Sequence, residues 1–275
     1  MSVKEGIIMI LMAATPIPAG GQITGSWQGR KCAVALTYDD ALNVHLDTVI
    51  PLLDSLGFKA TFYLPGSFPG FRVRLTDWKG AAREGHELGN HSLFHPCEGN
   101  QPGREWVPPE YDLRTYTVRR FLDEVNVANV MLEELDGRTS RTFAYPCGDT
   151  RAGDSSYVDG IRGMFVGARG VSGTLQKIDD IDPFHIGAFV VDGQSGAELA
   201  EMVQQAMERD VLLVFLFHGV GGEHSINVSL DAHRQLLYFL KDHERDIWVA
   251  PLRDIAEFVR LHGKAKTTGR HEGPK

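Results

Sequence analysis

Apolar residues along this chain gather in short continuous runs separated by longer stretches with helical spacing. Ala33-Val34-Ala35-Leu36-Thr37-Tyr38 is a compact run that reads as a buried strand ending at Asp39-Asp40. Over 46–56, apolar side chains at 46, 49, 50, 52, 53 and 56 predict a helix stopped by Gly57. A second strand is expected at 59–64, closed by Pro65-Gly66. A helix over 78–84 stopped by Gly85 and a short strand over 86–90 follow. Positions 96–109 carry Pro and Gly without periodicity, a loop long enough to suggest a functional connection. The clearest helical stripe is Val118, Phe121, Leu122, Val125, Ala128, Leu132 and Leu135, ended by Asp136-Gly137. Further strands are predicted at 142–145, 163–168, 186–191, 211–217 and 247–249, and helices at 197–209, 232–243 and 252–261.

Continuous apolar strands alternating with amphipathic helices argue for an α/β fold with a parallel sheet covered by helices. Seven or eight such units fit a distorted (β/α) barrel better than an open sheet. No internal repeat or interdomain linker interrupts them, so a single domain over 26–262 is expected. The 275 residues are 43% hydrophobic and 23% charged, ample for one core. The formal net charge of −8 argues against a nucleic-acid partner, which needs clustered Lys and Arg. The segment 263–275 is basic, rich in Gly, Thr and Lys and without apolar periodicity, and reads as a disordered tail. No run is long enough to span a bilayer. Residues 1–25 form a leader: Lys4, an apolar run over 7–14, then Pro16 to Gly20, resembling a short signal peptide. Export to the periplasm or the outside is the expectation, and a disordered or differently processed leader, with a cytoplasmic location, is the alternative. Three cysteines, Cys32, Cys97 and Cys147, are too few and too odd in number for a disulfide framework. Oligomeric state is not readable from the sequence.

Chemistry concentrates after the strands. His91 and His95 stand four residues apart, a spacing that lets two imidazoles share one metal ion. In barrels of this kind the working residues lie at the C-terminal ends of strands. There Asp39 and Asp40 end the first strand, His91 and His95 follow the third, and His218 ends the most apolar one. One Asp with two His makes three protein ligands, which leaves a coordination position open as in catalytic zinc sites. The other Asp is then available as a base and His218 as an acid.

The motifs Leu36-Thr37-Tyr38-Asp39-Asp40, Gly85-His86-Glu87-Leu88-Gly89-Asn90-His91-Ser92-Leu93-Phe94-His95 and Leu216-Phe217-His218-Gly219 occur in this order. They resemble the motifs of the polysaccharide deacetylases, carbohydrate esterase family four, over about 26–260. The resemblance implies that family's distorted barrel. It makes Asp40, His91 and His95 the ligands of a divalent metal, zinc by default. It makes Asp39 the base that activates a metal-bound water, and His218 the acid that protonates the leaving group. A conserved proline of the family corresponds to Pro146 in Phe143-Ala144-Tyr145-Pro146-Cys147-Gly148, so Tyr145 and Pro146 join the substrate site and the Cys147 N–H becomes the oxyanion donor. Two departures stand out. Ala144 occupies the register where the family carries an Arg that pairs with the catalytic Asp. The family's fourth motif has only Phe189-Val190-Val191-Asp192-Gly193 as a counterpart, with Asp192 as the residue expected to orient His218.

The resemblance implies a hydrolase removing acetyl groups from a carbohydrate, N-acetyl first, with an O-acetyl esterase of the acetylxylan type and a catalytically idle carbohydrate-binding barrel as the alternatives. A barrel glycosidase ranks behind these because it leaves the histidine pair unused. His86 reads as a buried structural residue. His224 is either a substrate contact or a loop residue. Cys97 reads as a residue outside the ligand set, since three ligands already suffice, with an extra ligand or a Cys97–Cys147 bridge as the lesser alternatives. Trp106 and Tyr111 are a stacking platform for a sugar or ordinary loop packing.

Overall fold

In the computed structural model, which describes residues 26–263, β1 (Cys32–Asp39) is the axis of the sheet, and every one of its residues is buried. Its hydrogen-bonding edge is divided. Along one side it pairs in parallel with β9 (Leu212–Phe217) from Ala33↔Leu212 to Tyr38↔Phe217. Along the other side its first half pairs with β12 (Ile247–Val249) and its second half with β2 (Thr61–Leu64). The sheet continues through β3 (Glu87–Asn90) and β4 (Thr142–Ala144) to β7 (Gly167–Arg169), while β8 (Phe189–Val190) flanks β9. All of these pairs are parallel. The two ends of the sheet meet through one bridge. Ile186, just ahead of β8, donates its N–H to Ala168 O at 3.1 Å and accepts from Gly170 N–H at 2.9 Å. The architecture is thus the distorted (β/α) barrel expected, with a weak seam between β7 and β8.

Helices cover the outside: α1 (Ile50–Leu56) after one wide π-helical turn, α2 (Pro69–Arg72), α3 (Leu75–Arg83), α4 (Val118–Asp136), α5 (Val158–Arg162), α6 (Gly196–Arg209) and α7 (Leu230–Asp242), while α8 (Leu252–His262) packs against the inward-facing layer. Caps define their ends, with Gly137 in the place the sequence indicates. Thr117 accepts from Arg120 N–H at the start of α4, Gly137 ends it at φ 71°, and Ser195 with Glu198 forms a capping box on α6. Strand alternation sorts the core. Cys32, Val34, Leu36 and Tyr38 of β1 pack outward with Leu213, Phe215 and Phe217 of β9 beneath the helices. Ala33 and Ala35 point inward with Leu212, Val214 and Leu216, onto Leu252, Ile255 and Ala256 of α8.

Inside this second layer one buried carboxylate organises the floor. Glu87 Oε2 accepts from Thr61 Oγ1 (2.7 Å) and the Arg253 N–H (2.9 Å), and its Oε1 accepts from Thr142 N–H and Oγ1, both at 2.7 Å. A carboxylate at the first turn of α8 is also favoured by the helix dipole.

Two expectations shift. The strand expected at 163–168 begins only at Gly167, because α5 and its closing turn (Met164 N–H to Ile161 O, 2.9 Å) take up the preceding residues. The run over 186–191 is broken because Gly187 N–H leaves the ladder to donate to Gln176 Oε1. Two small pairs, β5 (Arg151–Ala152) with β6 (Ser155–Ser156) and β10 (Gly219–Val220) with β11 (Asn227–Val228), have no apolar run to announce them. The leader 1–25 and positions 264–275 of the expected tail lie outside the described residues.

Candidate active site

The odd, inward-facing series of β1 ends on Asp39, which places its carboxylate at the C-terminal mouth of the barrel and buried. The next residue turns sharply. Asp40 and Ala41 take φ 76° and 53°, so Asp40 re-enters the mouth instead of continuing to the outer face. Ser92 (φ 64°), His95 (φ 55°) and Cys147 (φ 54°) repeat this left-handed backbone around the same opening. Non-glycine residues hold such conformations only where surrounding structure over-determines them, and they cluster at functional sites.

Asn90 holds the histidine loop. Its Nδ2 donates to Val125 O (3.0 Å) and Asn129 Oδ1 (2.8 Å), and its Oδ1 accepts from Ser92 N–H at 2.7 Å. His91 is buried, with Nδ1 2.9 Å from the Ala144 carbonyl. Donation to that carbonyl leaves Nε2 unprotonated and pointing at the aspartates, 3.6 Å from Asp39 Oδ2 and 3.9 Å from Asp40 Oδ1. His95 Nε2 lies 3.8 Å from Asp40 Oδ1. That oxygen is buried and has no hydrogen-bond partner among the described residues. A buried carboxylate oxygen facing two imidazole nitrogens without a proton donor fits a divalent cation. Burial also pushes His91 down to about 4, so it is neutral, as a ligand must be.

Asp39 has a partner that the motif analysis missed. Burial works to raise its pKa, but Arg169, then His91 and His218, outweigh that and hold it at about 2. Arg169 is fully buried at the end of β7, pairs through Nη2 with Asp39 Oδ1, and lies with its guanidinium carbon 4.7 Å above the Tyr63 ring. In the sheet register Arg169 is directly opposite Ala144. The cation absent from Ala144 is thus delivered from the neighbouring strand at the same level. Its only signal in the sequence is an Arg closing an otherwise small, apolar strand.

His218 follows β9, with Nε2 3.8 Å from Asp40 Oδ2. Burial lowers its pKa, against the opposing pull of Asp39 and Asp40. Asp192 does not orient it. That carboxylate is exposed and accepts from Asn227 N–H at 3.2 Å, and His218 Nδ1 has no partner among the described residues. The reason is local: Asp192 sits in the turn after β8, where it ties down the loop following β9. His224 belongs to that loop, and its Nε2 is 3.9 Å from Asp40 Oδ2.

These groups open into a cleft of about 760 Å³ whose lining includes Asp39, His91, Trp106, Tyr145, Cys147 and His224. Pro146 is buried beneath it, and Tyr145 OH donates to Phe184 O at 3.0 Å. Cys97 and Cys147 form a disulfide, which joins the loop after His95 to the segment expected to supply the oxyanion donor. Arg104 adds a second tie, donating to Asp149 Oδ2 (2.6 Å) and Cys147 O (3.0 Å). Trp106 is 58% exposed at the rim, its ring 6.5 Å from that of His95, whereas Tyr111 stacks on Phe94 at 5.2 Å. His86 is buried, accepting from Ala60 N–H through Nδ1 (3.1 Å) and facing Asp54 through Nε2.

Comparison with known proteins bears on the fold and on part of the sequence. The polysaccharide deacetylase family model matches residues 28–156. The fold is shared with a candidate polysaccharide deacetylase of Mycobacterium smegmatis (TM-score 0.59, 17% identity, 90% of this chain and 95% of that one). It is shared also with a cobalt-bound family 4 acetyl xylan esterase of Clostridium thermocellum (TM-score 0.52, 19% identity, 83% and 91%). A carbohydrate esterase family 4 pseudoenzyme of Bacillus anthracis has the same fold (TM-score 0.52, 18% identity, 82% and 66%). Among curated sequences, the uncharacterized protein YlxY of Bacillus subtilis is 31% identical over 40% of this chain and 29% of its own length. A gellan lyase of Bacillus sp. is 23% identical over 87% of this chain and 10% of its own length. The chain therefore spans less than a third of either curated relative. Residues 28–156, the stretch that matches the polysaccharide deacetylase family model, carry Asp39, Asp40, His91, His95 and Cys147.

Proposed function

We propose that this chain is a metal-dependent hydrolase that removes acetyl groups, N-acetyl foremost, from a carbohydrate. One observation carries the reading: Asp40 Oδ1, without a hydrogen-bond partner among the described residues, faces His91 and His95 Nε2, beside an Asp39 already paired with a buried Arg. Asp40, His91 and His95 would hold a divalent cation, and their N and O donors suit zinc. When bound, such an ion polarises an acyl carbonyl and lowers the pKa of a water it contacts. The chain's own groups do the rest. Asp39, ionised throughout the neutral range and steadied at Oδ1 by Arg169, takes a proton from the attacking water at Oδ2. As the water oxygen bonds to the acetyl carbon and the carbon–nitrogen bond breaks, His218 Nε2 gives a proton to the departing amine. Burial works against that proton on His218, and the neighbouring Asp39 and Asp40 carboxylates work to hold it. The Cys147 N–H faces the carbonyl oxygen in this arrangement, with Tyr145, His224 and the exposed Trp106 available to the sugar.

The ester reading uses the same residues and is supported by the fold shared with the acetyl xylan esterase of Clostridium thermocellum. The pseudoenzyme neighbour keeps the idle reading in play. Acetate release by metal-reconstituted protein, on an N-acetyl chitooligosaccharide and on O-acetylated xylan, separates the three. Asp39→Asn serves as the blank and should retain metal while losing turnover by about 10²–10⁴-fold. Release from xylan alone favours the esterase, and release from neither favours the idle barrel. The disulfide supports export to an oxidising compartment, because such bonds persist there. Protein from whole cells and from culture supernatant, probed with antibody, tests that assignment.

A further inference from the structure

Asp40 faces two histidine pairs, one with each oxygen. Oδ1 looks at His91 and His95, and Oδ2 at His218 and His224, 3.8 and 3.9 Å from their Nε2 atoms. Within each trio the donor atoms lie within 4.8 Å of one another. We infer that Asp40 Oδ2, His218 and His224 form a second divalent-cation position, bridged to the first by the Asp40 carboxylate. The inference rests on the reading of His91 and His95 as ligands of the first.

The dimensions suit it. Zinc–nitrogen and zinc–oxygen bonds of ~2.0–2.2 Å in a tetrahedron place neighbouring donors roughly 3.3–3.5 Å apart. The Asp40–histidine separations of 3.8–3.9 Å need to close by only about half an ångström to reach that, and the remaining donor separations lie within 4.8 Å. Paired catalytic ions stand ~3.5–4 Å apart, a separation a bridging carboxylate provides.

The loop that presents His224 is built in advance. Its strand pair is registered at Gly219↔Asn227 and Val220↔Val228. Glu223 Oε2 accepts from Val44 N–H at 2.7 Å, and Asn227 Oδ1 accepts from Gly222 N–H at 2.9 Å. His224 Nδ1 lies 3.0 Å from Ile226 N and 3.2 Å from Ile226 O. Without an ion, Nδ1 accepts from that N–H and Nε2 carries the proton. With an ion on Nε2, Nδ1–H donates to the carbonyl, the outer contact that orients ligating histidines. The second position must therefore shift a tautomer, and it gathers its ion beside one already bound, so it is the weaker of the two. Its occupancy also takes the Nε2 of His218, the atom that protonates the leaving group. The second ion is accordingly inhibitory: activity rises with the first equivalent of metal and declines with the next.

The test is a zinc titration of the metal-stripped full chain by calorimetry, with bound zinc per chain read by elemental analysis after dialysis at rising free zinc. Wild type should bind two ions in two steps. His224→Ala, His224→Gln and His218→Asn should keep the tight step and lose the weak one, while His95→Ala should lose the tight step. Circular dichroism confirms that each variant is folded, and the two His224 replacements separate ligand loss from loop damage. A single wild-type step, lost in His95→Ala and unchanged in the His224 variants, overturns the second position and leaves the first standing. A single step lost in both sets means one ion shared by the pairs, which also overturns it. No zinc bound at all overturns the metal reading beneath it.

Discussion

Arg169→Ala removes the guanidinium that pairs with Asp39 and leaves the rest of the mouth in place. Arg169 is fully buried and Asp39 is 3% exposed, so water entering from the cleft replaces the lost guanidinium only in part. Breaking a buried pair in this way costs about 3–5 kcal/mol. The carboxylate also loses the largest influence that offsets its burial. An opposite charge at this range moves a carboxyl pKa by roughly 1–3 units. Asp39, held at about 2 in the native chain, should therefore rise, and the acid limb of kcat/KM should move up by a similar amount. The stabilising part follows the same sign. A depressed carboxyl contributes above its unfolded pKa and loses that contribution as pH falls towards 2, so the variant should have a lower melting temperature at pH 7 with the gap narrowing in acid. Arg169→Lys should recover part of the pH profile, since it keeps charge but not the planar fork. Ala144 is registered opposite Arg169 with its side chain on the same face. The double change Ala144→Arg with Arg169→Ala should then restore the limb more fully than Arg169→Ala alone. The assay is a pH series of acetate release with melting curves on the same samples. A folded Arg169→Ala with native turnover and an unmoved acid limb would refute the reasoning.

Three further outcomes are expected. His45, His86 and His233 are buried, and burial lowers them to about 4, about 4 and about 3, so the unfolded chain takes up protons that the native one refuses. Stability should hold above pH ~6.5 and fall towards pH 4, at up to about 4 kcal/mol per pH unit for three protons, and a flat melting profile between pH 7 and 5 would contradict it. Gly89→Ala places a Cβ 2.5 Å from the ring of Tyr63, two residues before His91, so it should destabilise by ~1–3 kcal/mol and weaken zinc retention together. Native zinc content with native melting would count against that placement of the histidine loop. Reduction of Cys97–Cys147, which closes a loop of sequence separation 50, should cost about 4 kcal/mol, read as a drop in melting temperature with dithiothreitol that is absent in a Cys97→Ser, Cys147→Ser variant.

The barrel was legible because its information is local. Runs such as 33–38 and 211–217 are apolar on both faces, which only a sheet covered on both sides accommodates, and the helical stripe from Val118 to Leu135 needs one partner face. Legibility fails where structure depends on contacts distant in sequence. Gly187 leaves its ladder for the side chain of Gln176, and the β10–β11 pair is held by turns and by Asp192. No periodicity encodes such choices. Asp192 itself was misread for this reason: its place in a motif suggested a partner, but the turn after β8 aims it at a backbone N–H.

The candidate site divides along the same line. Asp39, Asp40, His91, His95 and His218 each follow directly on a strand or its exit, and a barrel gathers strand ends at one mouth, so their convergence follows from topology once the strands are known. Arg169 shows the complementary case. What Asp39 requires is a cation at its Oδ1, not a cation at a given distance along the chain. Neighbouring strands in register present side chains at the same depth, so Ala144 and Arg169 are alternative sources of one charge. A motif written along a single strand records only one of these solutions. The absent Arg in the third motif is therefore no sign of a disabled base, because the barrel supplies the same contact one strand away.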